Sequence, residues 1–271
     1  MLKSSIARPS DLDSPNFRRW RAVIGEQQPE TRKVWDWCYI AQALAERDML
    51  GPGRHGLGFA VGREPLSSLF ASLGCKILAS DQPVEQAAGT GWIEGGMHAS
   101  GLEALNERGL CEPERFGQLV QFRALDMNHI PDELRGFDFL WSAGSFEHLG
   151  SHDSGIRFVE NSLRCLRPGG VAVHTTEFNL GNDHGVALDP TVMLYGRFDL
   201  NALAYRLQSW GHLMEPLVFD IGHSEEDWQV YQPPRYLKMR RVGYVFTAIG
   251  IIITKDVAGI RVAEEPLVII D

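Results

Sequence analysis

The sequence predicts an α/β fold with a doubly wound, mostly parallel sheet and helices on both faces. Three observations carry this. The first is one strand–turn–helix–strand unit over residues 55–81. Leu57, Phe59 and Val61 give a β-prone run, Gly62 frees the chain for a tight turn, and Pro65 suits the first turn of a helix. Leu66, Leu69, Phe70 and Leu73 then recur at i, i+3, i+4 and i+7, and a second strand runs from Cys75 to Asp81. The second observation is that further strands at 119–125, 137–141 and 171–176 alternate with helical patterns, the pattern of a parallel sheet. The third is a late pair of strand-like runs, 213–220 and 242–254. Ligands of such sheets bind beyond the carboxyl ends of the strands, at the switch point.

The 271 residues suffice for one large α/β domain with an extension, here divided as an N-terminal arm and helix over 1–50 and the main domain over 51–271. Residues 1–30, rich in Pro, Ser and charge, read as a loosely structured arm anchored by Phe17 and Trp20. From Thr31, a capping residue, Val34, Trp37, Cys38, Ala41 and Leu44 predict a helix to Met49. It serves either as a lid over the cofactor or as a helix packed on the back of the sheet. A second helix is expected over 100–108, one over 200–210, and irregular substrate-side insertions near 178–200 and 221–241.

A net charge of −9 argues against a nucleic-acid partner, since a phosphate backbone needs cations to replace its counterions. Cys38, Cys75, Cys111 and Cys165 are scattered without a CxxC pair and read as reduced, buried thiols. No apolar run reaches the length of a signal or membrane-spanning segment, so the expected location is cytoplasmic. Oligomeric state is not legible.

The turn after the first strand is shared by sites for NAD, FAD and S-adenosylmethionine. Two details separate them. Gly56 and Gly58 fall inside the strand, leaving Gly62 alone in the loop, and Glu64 stands where a pyrophosphate would dock. A carboxylate there disfavours a phosphate and favours a cation such as a sulfonium carrying an ammonium. Asp81, 19 residues past Gly62, is placed for the ribose hydroxyls, and Asp126 at the next strand end for an adenine amino group.

Gly-Leu-Gly-Phe-Ala-Val-Gly62, Asp81, Leu-Asp126-Met, Phe-Asp138-Phe-Leu-Trp-Ser142, Phe-Glu147-His148-Leu and Leu-Arg-Pro-Gly-Gly170, in that order, resemble the class I, Rossmann-like S-adenosylmethionine-dependent methyltransferases over roughly residues 50–180. The resemblance implies a seven-stranded sheet with an antiparallel last strand, Gly62 at the methionine moiety, Asp81 on the ribose, and Asp126 with Met127 around the adenine. Gly58, Ala60, Glu64 and Ser142, in or beside these motifs, complete the expected cofactor set. The first motif departs from the family in having Gly58 where an acidic residue is usual and Glu64 where a third glycine is usual. Gly-Arg-Glu-Pro-Leu66 and His-Thr-Thr-Glu-Phe-Asn179 are similar to methyltransferases of glycan and secondary-metabolite assembly, which implies a sugar or glycan hydroxyl as acceptor.

An oxygen nucleophile must lose its proton, and His148 is the expected general base, with Glu147 beside it. The competing reading is that Glu147 and His148 only order the following loop. Glu177, at the end of the fifth strand, is a further candidate facing substrate, whereas His174 reads as a core histidine. His184, Trp228 and Tyr231 are expected on the acceptor side. A divalent metal held by Glu147, His148, Glu177 and His184 is a minor alternative without a supporting spacing motif. Other classes considered are an NAD(P)-dependent sugar oxidoreductase or epimerase, for which the chain lacks a Tyr-x-x-x-Lys pair, and a non-catalytic cofactor-binding subunit.

Overall fold

A computed structural model describes residues 1–27, 30–88, 91–230 and 235–256. Strand β1 (Ser4–Ile6) precedes two short helices, α1 (Pro9–Asp13) and α2 (Pro15–Val23), each begun by a proline whose missing N–H is harmless there. β2 (Glu30–Thr31) leads into α3 (Arg32–Ala45), capped as expected by Thr31 Oγ1 accepting from Val34 N at 3.4 Å. The nucleotide-type unit follows as β3 (His55–Phe59), α4 (Leu66–Ser72) and β4 (Lys76–Asp81). Then come α5 (Val84–Ala87), α6 (Pro113–Leu119), β5 (Val120–Ala124), β6 (Phe137–Ala143), α7 (His152–Ser162) and the long β7 (Leu166–Asn179). A hairpin, β8 (Val186–Asp189) and β9 (Val192–Leu194), and helix α8 (Arg197–Ser209) fill the expected insertion. The chain closes with β10 (Leu213–Met214), β11 (Leu217–Val218), β12 (Arg235–Tyr236), β13 (Met239–Arg241) and β14 (Tyr244–Thr254).

The main sheet runs β11-β1-β14-β7-β6-β3-β4-β5, with β10 and β13 also on β14. β5, β4, β3, β6 and β7 are mutually parallel and β14 is antiparallel to β7, from Phe246 opposite Asn179 to Thr254 opposite Val171. The order reverses between β3 and β6, which fixes the switch point at the turn after β3. Residues alternate between faces. On β14, Ala248 and Ile252 join one core with α3 and α4, while Ile249, Ile251 and Ile253 join the other with α7 and α8.

Three expectations change. Residues 1–27 are not a loose arm: β1 is inserted in the sheet between β14 and β11. That insertion also splits the expected 213–220 strand, because β10 takes the edge of β14 at Ile253 and Thr254, β1 takes it at Ile249 and Gly250, and β11 pairs with β1 instead. The seventh place of the sheet is therefore shared by several short strands. Helix α3 is a wall rather than a lid: Trp35, Cys38, Tyr39 and Ile40 are buried, and the helix packs on β6, β7 and β14. Smaller shifts are local. The 100–108 helix is a 3-10 turn at Leu102–Asn106, and Pro65 sits at the N-cap of α4 rather than inside it.

The α3 wall rests on one close approach. Tyr39 lies against Gly250, donates to Lys3 O at 2.7 Å, and stacks on Trp35 at 4.7 Å. A Cβ on Gly250 would collide with the Tyr39 ring. Gly250→Ala is therefore expected to lower stability by about 1–3 kcal/mol or more, read as a shifted urea midpoint with an unchanged slope. An unshifted midpoint would mean that the ring moves aside freely.

Candidate functional site

At the switch point β3 ends at Phe59 because Ala60 takes a φ of +47°, and Gly62 follows at +51°. The turn is tied to β4 by Val61 N donating to Ser80 O at 2.9 Å and Ser80 Oγ donating to Gly58 O at 2.7 Å. Gly58 has a packing role. A Cβ there would come within 2.5 Å of the Trp141 indole, so glycine is what lets that ring pack against β3. Trp141 Nε1 donates to Glu64 Oε1 at 2.6 Å, and Glu64 is 8% exposed. Burial pushes the Glu64 carboxyl up to about 8, against the opposing pull of the indole bond and Lys33. Asp36 and Asp81 add to the upward push, so three carboxyl groups gather at this turn.

Asp81 accepts from Gln82 N at 2.8 Å and from Ala99 N at 3.0 Å. Burial raises its pKa, and the backbone donors, that of Gly62 among them, pull the other way. Ala99 ends a segment, residues 92–99, that straps the turn: Met97 O lies 2.5 Å from where a Cβ on Gly62 would be, and His98 Nε2 meets Gln82 O at 2.8 Å. At the other end of the strap the Trp92 ring packs edge-on against His148 at 4.7 Å. Asp126 caps its own turn, accepting from Asn128 N and bonding His129 Nδ1, each at 2.8 Å, and Met127 is buried.

At the carboxyl ends of β6 and β7 the expected residues separate. Ser142 points into the core, where its hydroxyl bonds His174 Nδ1 at 2.8 Å, so it is removed from the cofactor-facing set. His174 is a core histidine, its pKa pushed down to about 3 by burial. Glu147 is buried and accepts from Thr176 Oγ1 at 3.0 Å. His148 bonds Thr191 O through Nδ1 at 2.8 Å and holds Nε2 at 4.0 Å from Glu147 Oε1. Glu177 is ion-paired with Arg32, which ties up the carboxylate expected to stand free before substrate; its Oε2 is buried without a hydrogen-bond partner among the described residues. His184 is exposed against Phe198, Trp228 is 63% exposed, and Tyr231 lies outside the described residues. Among the described residues no three His, Cys, Asp or Glu side chains gather as a metal-binding group, so Glu147, His148, Glu177 and His184 do not form the ligand set weighed from the sequence.

Sequence reasoning missed the contribution of α3. Its first turns bring Arg32, Lys33 and Asp36 to the strand ends, where Lys33 Nζ donates to Ala143 O at 2.7 Å. Asp36 is buried, Oδ1 lacks a partner among the described residues, and desolvation pushes the carboxyl up to about 6 against the pull of Lys33 and Arg32. The available signal was the polar i, i+1, i+4 stripe at the start of a mostly apolar helix.

The fold is the mixed α/β, Rossmann-like methyltransferase fold. The sequence profile of the family described as "Methyltransferase domain" matches residues 94–174. Among solved structures, a protein of Galdieria sulphuraria assigned as a sarcosine dimethylglycine methyltransferase is 15% identical, over 90% of this chain and 99% of that one, with a TM-score of 0.53. The 1,6-didemethyltoxoflavin-N1-methyltransferase of Burkholderia thailandensis, solved with 1,6-didemethyltoxoflavin and S-adenosylhomocysteine bound, is 16% identical over 94% of this chain and 93% of that one, with a TM-score of 0.48. At these identities the likeness defines the fold alone. No curated protein matches the chain. No helix among the described residues is long and apolar enough to cross a membrane.

Proposed function

We propose that the chain transfers a methyl group from S-adenosylmethionine to a hydroxyl of a sugar or glycan intermediate, with His148 as general base. The observation that carries the cofactor assignment is the gathering of Glu64, Asp36 and Asp81 around a positive-φ turn at the switch point, opposed by Lys33. A cation bound there favours the ionised form of these carboxyl groups, whereas a pyrophosphate opposes it. Asp81 fits the ribose in donor–acceptor terms: its two carboxylate oxygens have four acceptor positions, and the backbone donors of Gln82, Ala99 and Gly62 take three of them. Residues 92–99 have to lift from Gly62 to admit the cofactor, and Ala60, Asp126 and Met127 border the same strand ends.

The cofactor supplies an electrophilic methyl on a sulfonium. The chain aligns the acceptor oxygen and takes its proton. A carbonyl only accepts, so the bond from His148 Nδ1 to Thr191 O places the ring proton on Nδ1 and leaves the Nε2 lone pair open. Nε2 receives the hydroxyl proton, and Glu147 at 4.0 Å favours the resulting imidazolium. Trp92 packs edge-on against the ring and leaves it partly exposed. Four scattered, buried cysteines suit a reducing, cytoplasmic setting.

Calorimetry tests the reading: S-adenosylhomocysteine binds one to one and NAD does not. If saturating S-adenosylhomocysteine leaves the melting temperature unchanged, the assignment fails. Asp81→Ala is expected to weaken S-adenosylhomocysteine binding by about 10- to 100-fold, the loss of charge-assisted hydrogen bonds. An unchanged Kd would remove Asp81 from the ribose.

A further inference from the structure

Past Glu177 the chain leaves β7 at Asn179, runs through residues 180–196, and returns to begin α8 at Arg197. Between these limbs lies a cavity of about 230 Å³ lined by Phe178, Asn179, Asn182, Asp183, Arg197 and Phe219. Water occupies about 30 Å³ per molecule in the liquid, so this space takes a ligand group rather than a single solvent molecule.

Most polar side chains around it are already engaged. Asn179 donates through Nδ2 to His184 O at 3.1 Å and accepts from Gly181 N at 3.0 Å, while Asn182 Oδ1 accepts from His184 N at 3.0 Å. Arg197 differs. Its guanidinium lies 5.0 Å from the Phe219 ring, whose stacking partner is Phe178 at 5.2 Å and 21°. Stacking fixes the plane of the guanidinium and leaves its donor edge for a ligand. Nε is buried and has no hydrogen-bond partner among the described residues. Asp183 Oδ1 forms an ion pair with Nε at 3.4 Å, without hydrogen-bond geometry, from a side chain 57% exposed.

We infer that this cavity is a subsite for an oxyanion, a carboxylate or a phosphate, carried by the methyl acceptor; the link to the acceptor rests on the function proposed above. A fixed guanidinium with an unspent, desolvated donor is matched by a group that accepts two parallel N–H bonds. Asp183 stands as a weakly held internal competitor that the ligand displaces toward solvent. Asn179 is two residues beyond Glu177 on β7, on the same side of the sheet and about 7 Å along the strand, so the subsite adjoins the strand ends where methyl transfer is placed. The acceptor class is thus an acidic or phosphorylated sugar rather than a neutral one.

Glucuronate, glucose 6-phosphate and glucose, titrated by calorimetry at low salt, test this on the full chain. The two anionic probes are expected to bind at least tenfold more tightly than glucose, Arg197→Gln to abolish that preference, and Asp183→Asn to tighten the anionic probes a few-fold. Equal binding of glucose and the anions, or anionic binding indifferent to Arg197→Gln, overturns the subsite. Should Arg197→Gln fail to fold, Asp183→Asn decides, because removing a competing carboxylate tightens an anion and leaves glucose unchanged. S-adenosylhomocysteine titrated in parallel keeps the two readings apart: its failure to bind overturns the cofactor and with it the acceptor role, while Arg197-dependent anion binding is scored on its own.

Discussion

Glu64→Gln is expected to stabilise the protein at pH 8.5 by about 3–5 kcal/mol and to change it little at pH 5. The native carboxyl titrates near 8 instead of 4.5, because it is buried beneath the strand ends with the Trp141 indole as its hydrogen-bond donor. Between those two values the unfolded chain has released the proton and the native chain still holds it. Unfolding therefore releases a proton, and stability falls as pH rises through that window. Two other groups bound the interpretation. Asp36, pushed up to about 6, acts in the same sense below that pH, and His174, pushed down to about 3, acts in the opposite sense, removing stability as pH falls below about 6.5. From about pH 6.5 to 8, Glu64 sets the slope among these three. The amide retains the acceptor for Trp141 and never ionises. Melting curves from pH 5 to 9 check this: the variant gains on the order of 10 °C at the alkaline end. A gain of equal size at every pH would place the native carboxyl back in the ordinary range. In the proposed cofactor site, at a pH above 8 where the carboxyl is ionised, the same change should weaken S-adenosylmethionine more than S-adenosylhomocysteine, since only the former carries the sulfonium charge.

His148→Ala should lower kcat by about 10²- to 10⁴-fold while S-adenosylhomocysteine affinity stays within a factor of about two. The ring is oriented by Thr191 O and flanked by Trp92, and its removal takes away the acceptor for the hydroxyl proton without touching the turn at Gly62. Methyl transfer from radiolabelled S-adenosylmethionine to acidic and phosphorylated sugars measures the rate. Undiminished turnover would return Glu147 and His148 to the ordering of their loop.

The parallel core was legible because its signals are local. The 3.6-residue spacing of Leu66, Leu69, Phe70 and Leu73, the breaking residue Gly62 and the capping Thr31 act within a turn or two of chain, and α4, β4 and α3 lie where they imply. β1 was not legible because Ser4, Ser5 and Ile6 carry almost no strand pattern; pairing with β14 makes them a strand. The site divides the same way. Asp81 at a strand end follows from order along the chain. The inward turn of Ser142 toward His174, the claim of Trp141 on Glu64, and the pairing of Glu177 with Arg32 arise between segments far apart in sequence, where composition and spacing are silent.

The seam at β1 bears on how the molecule is assembled. Ser4 Oγ receives the amide of Ile252 across 248 positions of sequence, and β11 can join only after β1 is seated. Contacts of such span carry a high closure entropy, since the loop they close is nearly the whole chain. The edge of β14 at Ile249 and Gly250 is covered only where β1 is seated, and with β1 displaced that edge is open to pairing with a second chain.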